Sequence, residues 1–152
     1  MNWVFINHKA MFSEQDTNFE EFDNDITIGK NLFLRNDKKK KYYLILIPLV
    51  KRVNLQSLAE KLGEKRFSFA NEEELDLHLN IKPGSVSYLN IITAEKLGGK
   101  YKDVIIVIDN EILESKKVGF HPSDNTATVV TTPDSILKVL NEYDLKYSVL
   151  EL

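Results

Sequence analysis

The sequence predicts one α+β domain, a mixed sheet with helices around it, on three observations. Strand-like and helix-like segments are interspersed without regular βαβ alternation. Two stretches, "YYLILI" and "DVIIVID", are too continuously apolar for half-exposed strands and read as buried ones covered on both faces. No internal repeat or linker divides the 152 residues, a length that suits a single domain burying roughly 70% of its unfolded surface.

Taken in order, "WVFINH" reads as a short strand and "SEQDTNFEEFD" as a helix with Ser13 as N-cap. Residues 31–35 and 41–47 read as two strands of a β-hairpin, joined by a polar turn at Asn36-Asp37. Pro48 ends the second, because proline cannot donate to a sheet ladder. "NLQSLAEKLG" sets Leu55, Leu58 and Leu62 on one helical face and stops at Gly63. "ANEEELDLHLN" is a helix capped by Asn71, with acids in the first turn where the helix dipole favours them. His78, within it, reads as a surface or boundary residue. "IKPGSVSYLN" is a proline-glycine turn with two serines, and "DVIIVID" a buried strand. "KKVGFHPSDNTATVVTT" reads as strand, polar turn and strand. Thr132 or Pro133 opens the helix "PDSILKVLNEY", and "KYSVLEL" is a closing strand.

Composition removes several function classes. The chain has no cysteine, which excludes disulfides, thiolate zinc sites and a cysteine nucleophile. The longest apolar run, "YYLILIPLV", is far too short for a membrane span. The N-terminal residues lack a signal-peptide pattern, so a cytoplasmic protein is the default expectation. Hydrophobic (43%) and charged (28%) fractions are those of an ordinary soluble protein. The net charge of −3 hides an asymmetry: residues 30–66 carry eleven basic and three acidic residues. Such a segment suits phosphate binding or is simply a solvated lysine-rich turn beside unrelated helix charges.

Catalytic signatures are few. There is no GxGxxG and no Walker sequence. The histidines His8, His78 and His121 stand apart without a metal partner at helical spacing, so neither a metal site nor a cofactor is expected. His121 opens the turn "HPSDNTAT", which gathers an imidazole, the Asn125 amide and the hydroxyls of Ser123, Thr126 and Thr128. These groups suit a substrate, or equally an Asx-type turn that satisfies its own backbone. The "PGSVS" loop is open to the same two readings.

In order along the chain, "KNLFLRNDKKKKYYLILI", "RFSFANEEELDLHLNIKPGSVS" and "VGFHPSDNTATV" resemble the YbaK/prolyl-tRNA synthetase editing-domain family. The likeness is to its free-standing prolyl-tRNA deacylase branch, sometimes called ProX or PrdX; it spans most of the chain, read as one editing domain over residues 1–152 whose family N-terminal helix is either lacking or trimmed from the start. That resemblance implies an α+β fold with a partly barrel-like sheet. It also implies trans-editing: hydrolysis of the ester of a mischarged tRNA(Pro), alanyl-tRNA(Pro) being the usual target of this branch. Editing of that kind is needed because a missing methylene or two gives a synthetase only about 1–3 kcal/mol of discrimination. The implied partners are the tRNA and, as a candidate, prolyl-tRNA synthetase, with no membrane. A catalytically silent tRNA-binding module of the same fold is the alternative.

The same resemblance implies roles for particular residues. Lys30 matches the essential lysine, expected at the terminal phosphate or the ester, and Asn31 the adjacent amide contacting the aminoacyl group. His121 and Asn125, with Thr126, match the motif bordering the pocket. Gly84, Ser85, Val86 and Ser87 match the glycine loop that positions the 3′ adenosine. Gly29 and Phe12 complete the substrate-binding candidates, Gly29 being smaller than the residue relatives often carry and so hinting at a roomier pocket. The mechanism implied is attack by water assisted by the tRNA 2′-hydroxyl, which explains why no protein nucleophile is evident. One departure is Tyr88, which stands where the loop's Gly-x-x-x-Pro pattern has proline; a tyrosine there suggests stacking on a base.

Overall fold

The computed structural model describes residues 4–7, 25–83, 86–90, 103–121 and 126–152. Among them are eight strands: β1 (Val4–Asn7), β2 (Ile26–Asn36), β3 (Tyr42–Pro48), β4 (Phe67–Phe69), β5 (Val104–Asp109), β6 (Lys117–Phe120), β7 (Ala127–Thr131) and β8 (Tyr147–Leu150). Four helices accompany them: α1 (Leu55–Lys61), α2 (Glu72–Leu79), α3 (Asn110–Glu114) and α4 (Pro133–Glu142). The helix expected from Ser13 lies outside the described residues.

The helix starts follow from their caps. Asn54 Oδ1 accepts from the backbone N–H of Gln56 and Ser57 and opens α1. Asn71 and Glu74 form a reciprocal capping box on α2, each side chain bonded to the other's backbone N–H at 2.9 Å. Thr132 caps α4, with Pro133 at its first position.

The strands run in the order β1-β7-β6-β2-β3-β5-β8, with β4 also paired to β2. The sheet is mixed: β2–β3, β2–β4, β1–β7 and β6–β7 are antiparallel, whereas β2–β6, β3–β5 and β5–β8 are parallel. Every residue of β3 is buried, as its apolar run predicts. Pleat alternation sends Leu44 and Leu46 to one core, with Phe33, Ile106 and residues of α2 and α4. Tyr43, Ile45 and Ile47 go to a second core, with Leu34, Phe67 and the α1 residues Leu58 and Ala59. Further along that second face, Ile28 packs with Ile6, Ile26 and Leu49.

Four details differ from the sequence expectations. β2 begins at Ile26, so Lys30 and Asn31 lie inside an eleven-residue strand and not at its entrance. Neither the short β4 nor α3 carries a periodicity long enough to announce it. His78 is only 5% exposed, its ring centroid 4.0 Å from that of Tyr42; the position of the residue in α2 turns it onto the aromatic end of the core.

Much of the basic segment is engaged internally. Arg35 Nη1 lies 2.6 Å from Glu74 Oε1 and Arg35 Nε donates to Ser68 Oγ at 3.2 Å. Lys51 Nζ lies 2.8 Å from Asp109 Oδ2 and 2.7 Å from Glu111 Oε1. Asp109 is fully buried. Burial opposes the Lys51 charge, but its bonds to Asp109 and Glu111 outweigh that and hold its pKa above the usual lysine value. Losing Lys51 leaves a buried carboxylate uncompensated, so Lys51→Met should destabilise the fold by about 3 kcal/mol in denaturant titration. Adding Asp109→Leu to that variant should restore part of the loss.

Glu64 accepts from Tyr43 Oη at 2.6 Å and Asn36 Nδ2 at 3.2 Å. The Tyr43 bond is the chief cause of its pKa lying below the usual value of 4.5, helped by Asn36 and Lys41 against burial. At Glu74 burial works in the raising direction, and is exceeded by the Asn71 backbone bond and by Arg35, so its pKa is lowered too. A carboxyl group with a depressed folded pKa stabilises above its unfolded value and loses that contribution as pH falls through the folded one. Melting temperature should therefore drop below about pH 4.5, and should drop less steeply in Glu64→Gln and Glu74→Gln.

Candidate active site

β2 gives one edge to β3 along most of its length and divides the other between two partners. β6 pairs with Ile26 to Ile28, and β4 with Leu34 to Asn36. Between these contacts, Gly29 to Leu32 line a gap in the sheet, among the described residues. The Ile28 carbonyl accepts from Leu49 N–H on the β3 side, whereas the Phe33 carbonyl accepts from Ala70 N–H on the β4 side. Backbone groups alternate edges along a strand. The N–H and C=O of Asn31 are therefore aimed at the gap.

The parallel β2–β6 register brings two of the sequence motifs together. Its last pair is Ile28 with Gly119; two residues further along each chain lie Lys30 and His121. Next to β6, Phe120 pairs with Val129 of β7, which puts Thr128 beside His121 at the same level. Lys30 and His121 are both partly exposed, and Thr128 is buried.

Asn31 belongs to the opposite face of the sheet, with Phe33 and its cross-strand partner Leu46. Its Oδ1 is buried and has no hydrogen-bond partner among the described residues, unlike most buried amide oxygens. Lys30 and Asn31 thus point to opposite faces of one strand, at a stretch whose edge is unpaired among the described residues.

The described part of the glycine loop lies on the Asn31 face. Val86 packs against the first core, Ser87 is buried, its N–H bonded to Asn90 Oδ1, and Leu89 N–H donates to Ser87 Oγ at 3.3 Å. Tyr88 is 1% exposed, its ring edge-on to Phe120 at 4.7 Å between centroids. Buried in this way, it is a core residue and does not stack on a base. Burial raises the pKa of its hydroxyl, which is without a hydrogen-bond partner. Gly29 is buried too, and the room its missing side chain leaves is occupied: a Cβ there would meet Leu46 Cδ1 at 3.3 Å and Ile112 Cδ1 at 3.6 Å. Thr126 is exposed at the start of β7. Gly84, Ser85, Asn125 and Phe12 lie outside the described residues.

A separate cavity of about 340 Å³ is lined by Val4, Ile6, Ile26, Lys117, Val130, Thr131 and Thr132, none of them a site residue expected from the sequence. Among the described residues, no His, Asp and Glu side chains gather as metal ligands, and no helix is long and apolar enough to cross a membrane.

The described residues form an α+β domain in which β2 has a stretch of edge unpaired between β6 and β4, and Lys30 and Asn31 lie on that stretch. The chain belongs to the aminoacyl-tRNA editing domain family, whose model matches residues 21–139. It is 28% identical over 152 residues to the prolyl-tRNA editing protein ProX of Acetoanaerobium sticklandii, covering 100% of this chain and 90% of that one. It is 33% identical over 113 residues to the prolyl-tRNA synthetase associated domain-containing protein 1 of Mus musculus, covering 72% of this chain and 63% of that relative. Among solved structures, a hypothetical protein superposes with a TM-score of 0.69 at 18% identity, covering 97% of this chain and 89% of that one. A protein provisionally assigned as a trans-editing enzyme for prolyl tRNA synthetase superposes with a TM-score of 0.63 at 16% identity, covering 99% and 87%. At these identities the structural likeness is one of fold.

An unpartnered buried hydroxyl is costly to keep. Tyr88→Phe should therefore leave stability unchanged or raise it by up to about 1 kcal/mol, as read by denaturant titration.

Proposed function

We propose that this protein is a trans-editing deacylase that hydrolyses the ester of mischarged tRNA(Pro), with alanine as the principal amino acid removed. The observation that carries this reading is the stretch of β2 edge unpaired among the described residues, which carries Lys30 and Asn31, whose side-chain oxygen has no hydrogen-bond partner there, two residues or so past the pairing of Ile28 with Gly119 that leads into His121. Lys30 and His121 are far apart in sequence, and each follows the last β2–β6 pair, Ile28 with Gly119, by two residues. Family membership and the full-length similarity to a prolyl-tRNA editing protein support the same substrate class.

In this reading Lys30 holds the terminal phosphate or the ester region by a charge-assisted contact and offsets negative charge developing on the carbonyl oxygen. The Asn31 N–H, aimed at the gap, is a second donor for that oxygen, and its side-chain oxygen accepts from the ammonium group of the aminoacyl moiety. His121 borders the pocket and orients the amino-acid end. The loop from Gly84 to Ser87 supports the terminal adenosine, and Asn125, Thr126, Gly29 and Phe12 complete the substrate-binding set. Water attacks the ester carbonyl, with the 2′-hydroxyl of the terminal ribose guiding it; the C–O bond to the ribose breaks, and the amino acid leaves with the 3′-hydroxyl restored.

The test is a deacylation panel with tRNA(Pro) charged separately with alanine, serine, cysteine and proline. Wild-type protein should hydrolyse the alanyl ester fastest and spare the prolyl ester. Lys30→Ala should lower the alanyl rate by about 10²-fold or more with little change in melting temperature, and His121→Ala should change the rate or the order of preference. Wild-type rates in Lys30→Ala would remove that residue from the chemistry. Binding of tRNA without turnover of any ester would replace the deacylase with a silent tRNA-binding module.

A further inference from the structure

The far end of β2 carries a cluster of cations for which the proposed ester chemistry has no use. In the β2–β3 turn, Lys38, Lys39 and Lys40 are exposed and the Lys41 side chain is 61% exposed. Lys65 and Arg66 are exposed on the loop after α1. Both segments are fastened together through Glu64, which takes a bond from Asn36 Nδ2 at 3.2 Å and lies 3.5 Å from Lys41 Nζ.

The turn is also built to hold its shape. Asn36 N–H donates to the Lys41 carbonyl and Lys39 N–H to the Asn36 carbonyl, each at 3.0 Å. The buried Asn36 side chain accepts from the N–H groups of Lys40 and Lys41, and Lys39 adopts the left-handed conformation, φ +53°. Such a frame reduces the ordering cost of binding. Six cations here face two carboxylates of the same segments, Asp37 and Glu64, and Glu64 already serves Tyr43 and Asn36. Arg35 and Lys51, by contrast, are matched to acids inside the fold. Crowded like charges repel one another, and a polyanion relieves that repulsion while releasing its counterions.

We propose that this turn and its neighbouring loop form a docking surface for the phosphate backbone of RNA, and specifically for the paired stem behind the aminoacylated end. The proposal rests on the reading of the β2 gap as the receiver of that end. From Lys30 to Asn36 the strand advances roughly 20 Å at about 3.3 Å per residue. A stacked nucleic-acid strand advances about 3.4 Å per nucleotide. The turn is thus about six nucleotides from the ester, past the short unpaired 3′ end and into the duplex. Contacts there are to phosphates, so they add affinity and orientation without reading sequence.

The test compares wild-type protein with the double reversal Lys38→Glu/Lys40→Glu. A control, Lys138→Glu/Lys146→Glu, makes the same change in net charge at other exposed positions. All three are first checked for matching thermal melts. Binding of uncharged tRNA(Pro) and of a single-stranded CCA oligonucleotide is read by fluorescence anisotropy over a range of salt, beside deacylation of alanyl-tRNA(Pro). The turn variant should bind tRNA at least about tenfold more weakly at low salt, with its log affinity against log salt slope reduced by about 2. Its binding of the oligonucleotide should be unchanged, and the control should bind both as wild type does. Unchanged tRNA affinity and slope in the turn variant, or an equal loss in the control, would overturn the docking surface. Absence of deacylation by wild-type protein counts against the deacylase reading, and the binding comparison still decides the role of the turn.

Discussion

A strand has two edges, and the way β2 shares them governs this protein. One edge is given to β3, which ties the strand to the most deeply buried part of the sheet. The other is split, because β6 stops pairing at Ile28 and β4 starts at Leu34. A backbone edge left open inside a sheet is a row of donors and acceptors seeking partners. Here that edge coincides with Lys30 and Asn31, whose side chains leave the strand on opposite faces. Ligands of open sheets commonly enter where neighbouring strands diverge, and the divergence of β6 from β4 provides such a place within a single strand.

Side chains pack closely on both faces of β2 beside this edge. Leu46 and Ile112 close over Gly29, and the absence of a side chain there is what lets them approach. Tyr88 packs its ring edge-on against Phe120. A proline at that point would stiffen the backbone through a restricted φ; the buried ring of Tyr88 is held instead by packing, at the expense of a hydroxyl without a hydrogen-bond partner among the described residues. Gly119 serves the other face in a similar manner. A Cβ on it would meet Ile28 Cδ1 at 2.9 Å and Thr128 Cγ2 at 3.0 Å, so glycine allows β6 to sit against β2 at the point where Lys30 and His121 come level.

Charge divides into two populations. Arg35 and Lys51 meet Glu74, Asp109 and Glu111, which come from α2 and the β5–α3 junction. These pairs pin helices and loops to the sheet, and the partly or fully buried ones depend on their partners for survival in a low dielectric. The lysines of the hairpin turn are instead displayed outward on a frame built by Asn36. A linear count of basic residues mixes these groups, since it contains no information on which cation has an acid opposite it across the fold.

The α+β class, most elements of the sheet and the helix caps were legible because each rests on local physics: strand periodicity, proline and glycine breaks, and side chains that bond nearby backbone. Asn71 with Glu74, Thr132 with Pro133, and the Asn36 turn are all cases in which neighbours within a few residues settle the outcome. The family motifs were legible in the same way, as short ordered strings. What the sequence could not disclose was decided at long range. The early start of β2, the existence of β4, the burial of His78 and Tyr88, and the splitting of one strand edge between two partners each depend on residues tens of positions away. The sequence by itself determined which short motifs the chain carries; only the tertiary structure decided that Lys30 and His121 each follow the last β2–β6 pair by two residues while Asn31 turns to the other face, because register between strands is set by the packing of two cores and not by either strand alone.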